Sequence, residues 1–212
     1  MKGLFITMEG PDGSGKTTQI TMLKDQLEAE GYEVVVTREP GGTKISEKIR
    51  GIILDKDNTE MDDVAEALLY AASRAQHVAE IIKPSIEKGS IVICDRFVDS
   101  SVVYQGIGRG LGIELVEQIN KPAIRDFMPD ITFLFKLSPN IGIKRKIDQG
   151  DQDRLEREEL DFHKRVYEGY LKLENRYSNR IIGIDANQSI DEIHHEIVQL
   201  LNQLLKKVVN NK

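Results

Sequence analysis

Eight residues near the N-terminus, Gly10-Pro11-Asp12-Gly13-Ser14-Gly15-Lys16-Thr17, followed by Thr18, carry the spacing G-x-x-x-x-G-K-[ST]. Glycines at these positions let the backbone wrap a phosphate chain with its N–H groups pointing inward. Lys16 then reaches the β- and γ-phosphates, and Thr17 can set its hydroxyl on a magnesium ion. A short apolar run, Leu4-Phe5-Ile6-Thr7-Met8, precedes the loop and a helix-periodic segment follows it. The positive end of that helix adds to the same anion site. A plain glycine-rich turn with a surface lysine is the alternative, and a strand before with a helix after argues against it. The loop implies a nucleoside triphosphate and leaves open what is done with it.

Two further clusters follow apolar strands. Arg38-Glu39-Pro40-Gly41-Gly42-Thr43 comes after Val34-Val35-Val36, and Asp95-Arg96 comes after Ser90-Ile91-Val92-Ile93-Cys94. Asp95 stands where many enzymes with this loop hold a magnesium-assisting carboxylate. A helix N-cap is its structural alternative. Arg38 and Arg96 are two guanidinium forks. A triphosphate uses one set of cations, and bidentate arginine suits a second, phosphate-bearing substrate better than lysine does. A surface salt bridge is the alternative for either arginine alone. Asp12 is a carboxylate inside a loop that binds polyanions, a costly position that a hydrogen bond to an acceptor hydroxyl would offset. An Asp-Gly turn is its other reading.

These clusters need a frame that brings them to one edge, and the hydrophobic pattern supplies it. Strands are expected over about 3–8, 33–37, 90–94, 131–135 and 181–184. Helices are expected over about 16–30, 43–54, 62–88, 98–106, 113–127, 139–147, 155–178 and 189–208. Five strands alternating with helices predict an α/β fold, a mostly parallel sheet with helices on both faces. Ligands of such sheets sit at the carboxyl ends of the strands, where all three clusters emerge. No repeat, low-complexity tract or linker interrupts the pattern, so one domain over 1–212 is expected.

Composition narrows the function. The 212 residues are 40% hydrophobic and 30% charged, an ordinary globular balance, with no run approaching the length of a membrane span. A formal net charge of −6 argues against a polynucleotide partner, which demands a basic face. The single cysteine, Cys94, forbids an internal disulfide, and with no signal-like N-terminus a cytoplasmic location is expected.

The segment Ile93-Cys94-Asp95-Arg96-Phe97-Val98-Asp99-Ser100-Ser101-Val102-Val103-Tyr104-Gln105 resembles the signature of bacterial-type thymidylate kinases. So does Thr37-Arg38-Glu39-Pro40-Gly41-Gly42-Thr43, a motif few other phosphate-loop proteins carry. The match runs nearly end to end, with Asp153-Arg154-Leu155-Glu156 in the expected lid, about 142–156. The resemblance implies a P-loop NTPase fold with a small lid. It implies transfer of the ATP γ-phosphoryl group to dTMP with magnesium, giving dTDP on the way to dTTP, by a homodimer.

By the same resemblance, Tyr70 would stack under the thymine and Arg74, one helical turn on, would hydrogen-bond the base. Ser101 and Gln105 would read its polar edge, and Tyr104 would sit under the sugar's 2′ position. Arg38 and Arg96 would hold the acceptor phosphate and Asp12 the 3′-hydroxyl. Asp95 would support magnesium beside Thr17, either directly or through a bound water. From spacing alone, the preferred readings are different: Tyr70 packed with Leu69 in the core, Arg74 extended to solvent, and Ser101 with Gln105 solvated. Gly13 occupies the loop position where one branch of the family has a catalytic arginine, so the lid must supply that charge. Arg154 is the expected donor, with Arg145 nearer the adenine. The acidic run Asp148 to Asp153, with Gly150 where a relative can offer another arginine, leaves the number of lid arginines on ATP open.

Other features read as packing. His194 and His195 are adjacent on the last helix and diverge, a poor metal pair. Lys144-Arg145-Lys146 is too short a basic run to indicate nucleic acid. The helix over 62–88 is apolar on more than one side, through Val64, Leu68, Ala71, Ala72, Val78, Ile81 and Ile82, which predicts deep burial or a partner subunit. A kinase for another small acceptor, or a nucleotide-dependent switch, are the rival readings. A switch has no use for Tyr70, Arg74, Ser101 and Gln105 as a set.

Overall fold

The computed structural model describes residues 3–147 and 153–210. Its centre is a sheet of five strands, β1 (Leu4–Glu9), β2 (Val34–Arg38), β3 (Ile91–Asp95), β4 (Ile131–Lys136) and β5 (Ile181–Asp185). The order is β2-β3-β1-β4-β5 and every pairing is parallel, where the sequence predicted a mostly parallel sheet. Register does the positioning: Met8 and Arg38 both lie opposite Asp95, so the three chains end at one edge.

Helices cover both faces, which is why the strands read as unbroken apolar runs. Leu4, Ile6 and Met8 of β1 pack with Ile20, Leu23 and Leu27 of α1 (Lys16–Ala29) and with Ile193, Ile197 and Leu201 of the C-terminal helix. Phe5 points the other way, into a cluster with Val78, Ile82, Val92 and Phe97. By the same alternation Glu9, at the strand's end, shares the face of Phe5. After α2 (Lys44–Leu54), α3 (Asp63–His77) runs through a π-helical turn, Val78–Ile82, into α4 (Lys83–Lys88). Gly89 at φ 93° ends it, so the long helix expected over 62–88 is present with a π turn inside it.

The signature segment forms α5 (Val98–Ser101) and continues as a π-helical stretch, Val102–Gly108. Then come α6 (Ile113–Ile124), α7 (Pro139–Ile147), α8 (Leu160–Arg176) and α9 (Ile190–Asn210). Two helices differ in extent from expectation. The helix expected over 113–127 stops at Ile124, where Arg125 turns to φ 52°. The helix expected from residue 155 starts at Leu160. Before it Asp153 closes a tight turn: Leu155 and Glu156 each donate an N–H to its Oδ1 at 2.9 Å, and Asp153 N–H donates to Glu156 Oε2 at 3.0 Å. Asp148 to Gln152 of the expected lid, with Gly150, lie outside the described residues.

Candidate active site

A cavity of about 570 Å³ opens at the carboxyl edge of the sheet and is lined by residues of all three clusters. On one side is the phosphate loop. Gly15, at φ 92°, leads straight into α1. Gly13 has φ 73°, and a Cβ there would sit 2.8 Å from Gly142 O and 3.2 Å from Arg145 Cβ. No side chain fits at position 13, because α7 crosses it. From that helix the Arg145 guanidinium donates to Gly13 O at 3.1 Å. Lys16 is buried and donates to Gly10 O at 3.1 Å and to Pro11 O at 2.9 Å. Burial, and then the charge of Arg96, pull its ammonium pKa down. A phosphate group placed in the loop answers both effects by pairing with it.

Arg96 stands between the two halves. It is a non-glycine residue at φ 66°, a conformation with a steric cost, and its N–H donates to Met8 O at 3.0 Å. The side chain reaches Asp12 Oδ1 at 2.9 Å, Tyr170 OH at 3.2 Å and Ser100 Oγ at 3.3 Å, and lies 5.3 Å from the Tyr104 ring centroid. Burial alone would weaken its hold on the proton, but Asp12 and its other neighbours drive the guanidinium pKa well up. Beneath it, Glu9 is completely buried. Glu9 accepts from Phe97 N at 2.7 Å, Ser100 N at 3.3 Å, Ser100 Oγ, and Tyr170 OH at 3.0 Å. Burial first, and then the charge of Asp99, raise its carboxyl pKa to about 7.

The other side is built on α2, α3 and the signature segment. Arg38 pairs with Glu47 at 3.0 Å, and Arg50 donates to Pro40 O at 2.8 Å; both line the cavity. Arg74 is 1% exposed, so the solvent-extended alternative for it is excluded. Its Nε donates to Glu39 Oε2 at 2.7 Å, and its Nη1 donates to Ser101 Oγ at 3.1 Å and to Asn120 Oδ1. The Glu39 carboxylate also lies 2.8 Å from His77 Nδ1, which locks the loop after β2 against α3. Tyr70 is half-buried on the cavity wall. Burial holds the Tyr70 and Tyr104 phenols well above their ordinary pKa, against the pull of Arg96 on Tyr104, so both stay neutral. The Tyr104 ring meets Phe162 and Tyr170 edge-on, at 6.1 and 6.4 Å between centroids. Ser101 and Gln105 are buried, not solvated, and line the same space.

The expected residues Asp12, Lys16, Thr17, Thr18, Arg38, Tyr70, Arg74, Asp95, Arg96, Ser101, Tyr104 and Gln105 therefore all line one cavity. Arg154 is not brought there. Its Nε donates to Ile53 O at 2.9 Å and its Nη2 to Glu66, so the cation expected at the donor phosphates is tied to α2 and α3 instead. Glu9, Arg50 and Glu66 are among the contributors that escaped the sequence reading. A carboxylate closing an apolar strand, and an arginine three residues after Glu47 on one helix face, were the available signals for Glu9 and Arg50.

Magnesium, which this fold implies, can be tested against the donor set. Asp95 Oδ1 is buried with no hydrogen-bond partner among the described residues, and Asp95 lines the cavity with Thr17. No group of three or more His, Cys, Asp or Glu side chains is gathered for a metal among the described residues. One carboxylate, one hydroxyl and the substrate's own phosphates are the usual environment of magnesium, so the residues fit it.

Comparison with known proteins places the chain in a family. The family profile described as Thymidylate kinase matches residues 8–197. A thymidylate kinase of Exiguobacterium sibiricum is 51% identical over 207 residues, 98% of each chain. One of Clostridium novyi is 52% identical over 198 residues, 92% of this chain and 97% of its own. The crystal structure of thymidylate kinase from Ehrlichia chaffeensis superposes with a TM-score of 0.77 at 36% identity, covering 95% of this chain and 99% of its own. With the profile, the relatives and the fold in agreement, the chain belongs to the thymidylate kinase family, enzymes that phosphorylate dTMP with ATP.

Proposed function

We propose that the cavity is a two-substrate site in which Lys16 and the loop backbone hold ATP while Arg38, Arg50 and Arg96 hold the phosphate of dTMP. The observation that carries this reading is that one cavity is lined by both the phosphate loop and this separate arginine set. Tyr70, Arg74, Ser101 and Gln105 line the part of that space assigned to the thymine, and Tyr104 the part under the sugar. Asp12, already paired with Arg96, would take the 3′-hydroxyl. Thr17 and Asp95 would hold magnesium, which would supply positive charge to offset that of the donor phosphates.

The attacking oxygen belongs to a phosphate that is ionised near neutral pH, so no side chain is required to remove a proton. The residues act by placing donor and acceptor in line and by neutralising charge in a loose transition state. Arg96 can do both, since its guanidinium is fixed from three sides. The charge absent at Gly13 is assigned to Arg145, whose guanidinium already rests on that residue's carbonyl. Arg154 could join only by leaving Glu66. A homodimer is supported by exposed apolar residues on α2 and α3, and a cytoplasmic setting suits the two nucleotide substrates.

The test is an ADP-release assay with dTMP, dUMP, dCMP, AMP, GMP and thymidine as acceptors. Turnover of dTMP above all others is the expected result. Thymidine turning over faster than dTMP would remove the acceptor-phosphate assignment.

A further inference from the structure

Glu66 lies in the first turn of α3, beyond the N-cap Asp62, and is completely buried. One oxygen, Oε2, accepts from Arg109 Nη2 at 3.2 Å and from Arg154 Nη2. The other, Oε1, accepts from Gln105 Nε2 at 2.9 Å, with Arg109 Nε more distant at 3.4 Å. Burial works against ionisation of this carboxyl, but the hydrogen bonds from Gln105, Arg154 and Arg109 outweigh it, and its pKa falls below the ordinary value. An ionised carboxylate can only accept. The NH₂ end of the Gln105 amide is therefore committed to Glu66, and its carbonyl end is turned the other way. That carbonyl oxygen, Gln105 Oε1, is buried on the cavity wall and has no hydrogen-bond partner among the described residues. A buried acceptor without a partner costs free energy until a donor arrives.

We propose that Glu66 is a positioning residue for base selection: by holding the Gln105 amide it presents an acceptor to the base and so favours a pyrimidine with an N–H at N3. This rests on the assignment of the space beside Gln105 to the base. Thymine carries that N–H. Cytosine has a bare acceptor at N3, which would face the Gln105 carbonyl oxygen with no proton between them. A site built around a buried polar group rejects an analogue that leaves the group unpaired.

Glu66→Gln tests this directly. Arg109 and Arg154 both donate to the Oε2 position, so the new amide oxygen stays there and its NH₂ falls opposite Gln105. Two NH₂ groups cannot share the bond, and Gln105 must turn over and offer a donor to the base. The expected result is a fall of about tenfold or more in the ratio of kcat/KM for dTMP to that for dCMP. A lower melting temperature with the ratio unchanged would overturn the proposal, because that is the signature of a merely structural Glu66. Gln105→Met, measured alongside, separates the two levels. If it leaves dTMP kinetics unaltered, the placement of the base beside Gln105 is wrong; if it weakens dTMP while Glu66→Gln keeps the ratio, only the role of Glu66 falls. Should Glu66→Gln not fold, N3-methylated dTMP offered to the wild-type protein carries the test, and turnover within about twofold of dTMP overturns the proposal.

Discussion

Arg96 concentrates the chemistry at the scale of a single residue. Its left-handed backbone is retained because the surroundings over-determine it: the N–H is fixed to Met8 O and the guanidinium to Asp12, Ser100 and Tyr170. In the proposed site, removing the side chain takes away a charge assigned to the place where the transferring group gathers negative charge. For Arg96→Ala the expected loss in kcat is on the order of 10²- to 10³-fold, with ATP affinity largely kept. Steady-state kinetics and a nucleotide-binding titration check it, and near-normal turnover would end the assigned role. Lys16 and Arg96 were legible from their motifs because each motif is a local run of chain. Arg154 was not, since its partner Glu66 lies 88 residues away in sequence.

Among the elements, the end of β1 and the start of α5 act as one unit through Glu9. The carboxylate receives two backbone N–H groups from Phe97 and Ser100 and thereby fixes the loop that carries Arg96. In the unfolded chain such a carboxyl titrates near 4.5, whereas in the fold it titrates near 7. Between those values the folded protein keeps a proton that the unfolded chain releases, so this group makes stability fall as pH rises from 4.5 to 7. The contribution is on the order of 3 kcal/mol. Glu9→Gln keeps an oxygen for the two N–H groups and cannot ionise, so its stability should fall less over that window. Denaturant unfolding at both ends of the window measures the difference; equal slopes in the two proteins would dismiss Glu9 as the titrating group. The apolar run of β1 made its buried residues readable, but a glutamate closing that strand looked like the first residue of a loop.

Across the whole molecule, one surface stands out. Ile45 and Ile52 on α2 are 52% and 48% exposed, and Val64 and Leu68 on α3 are 40% and 53% exposed. The apolar excess of the 62–88 helix is thus only partly spent inside the chain, which supports a second copy as the partner of this face. Sedimentation should find a dimer in the wild type, and Leu68→Glu should shift it to monomer. An unchanged oligomer in that variant would free this face of the role. Taken alone, the sequence determined the order of strands and helices, the phosphate loop and the arginine-bearing edge, because hydrophobic period and loop spacing are local properties. Only the tertiary structure decided that Arg74 is buried on Glu39, that Arg145 and not Arg154 meets the phosphate loop, and that Glu66 holds Gln105. Those outcomes depend on which side chains meet across turns of the fold, and hydrogen-bond geometry between distant segments leaves no periodic trace in the chain.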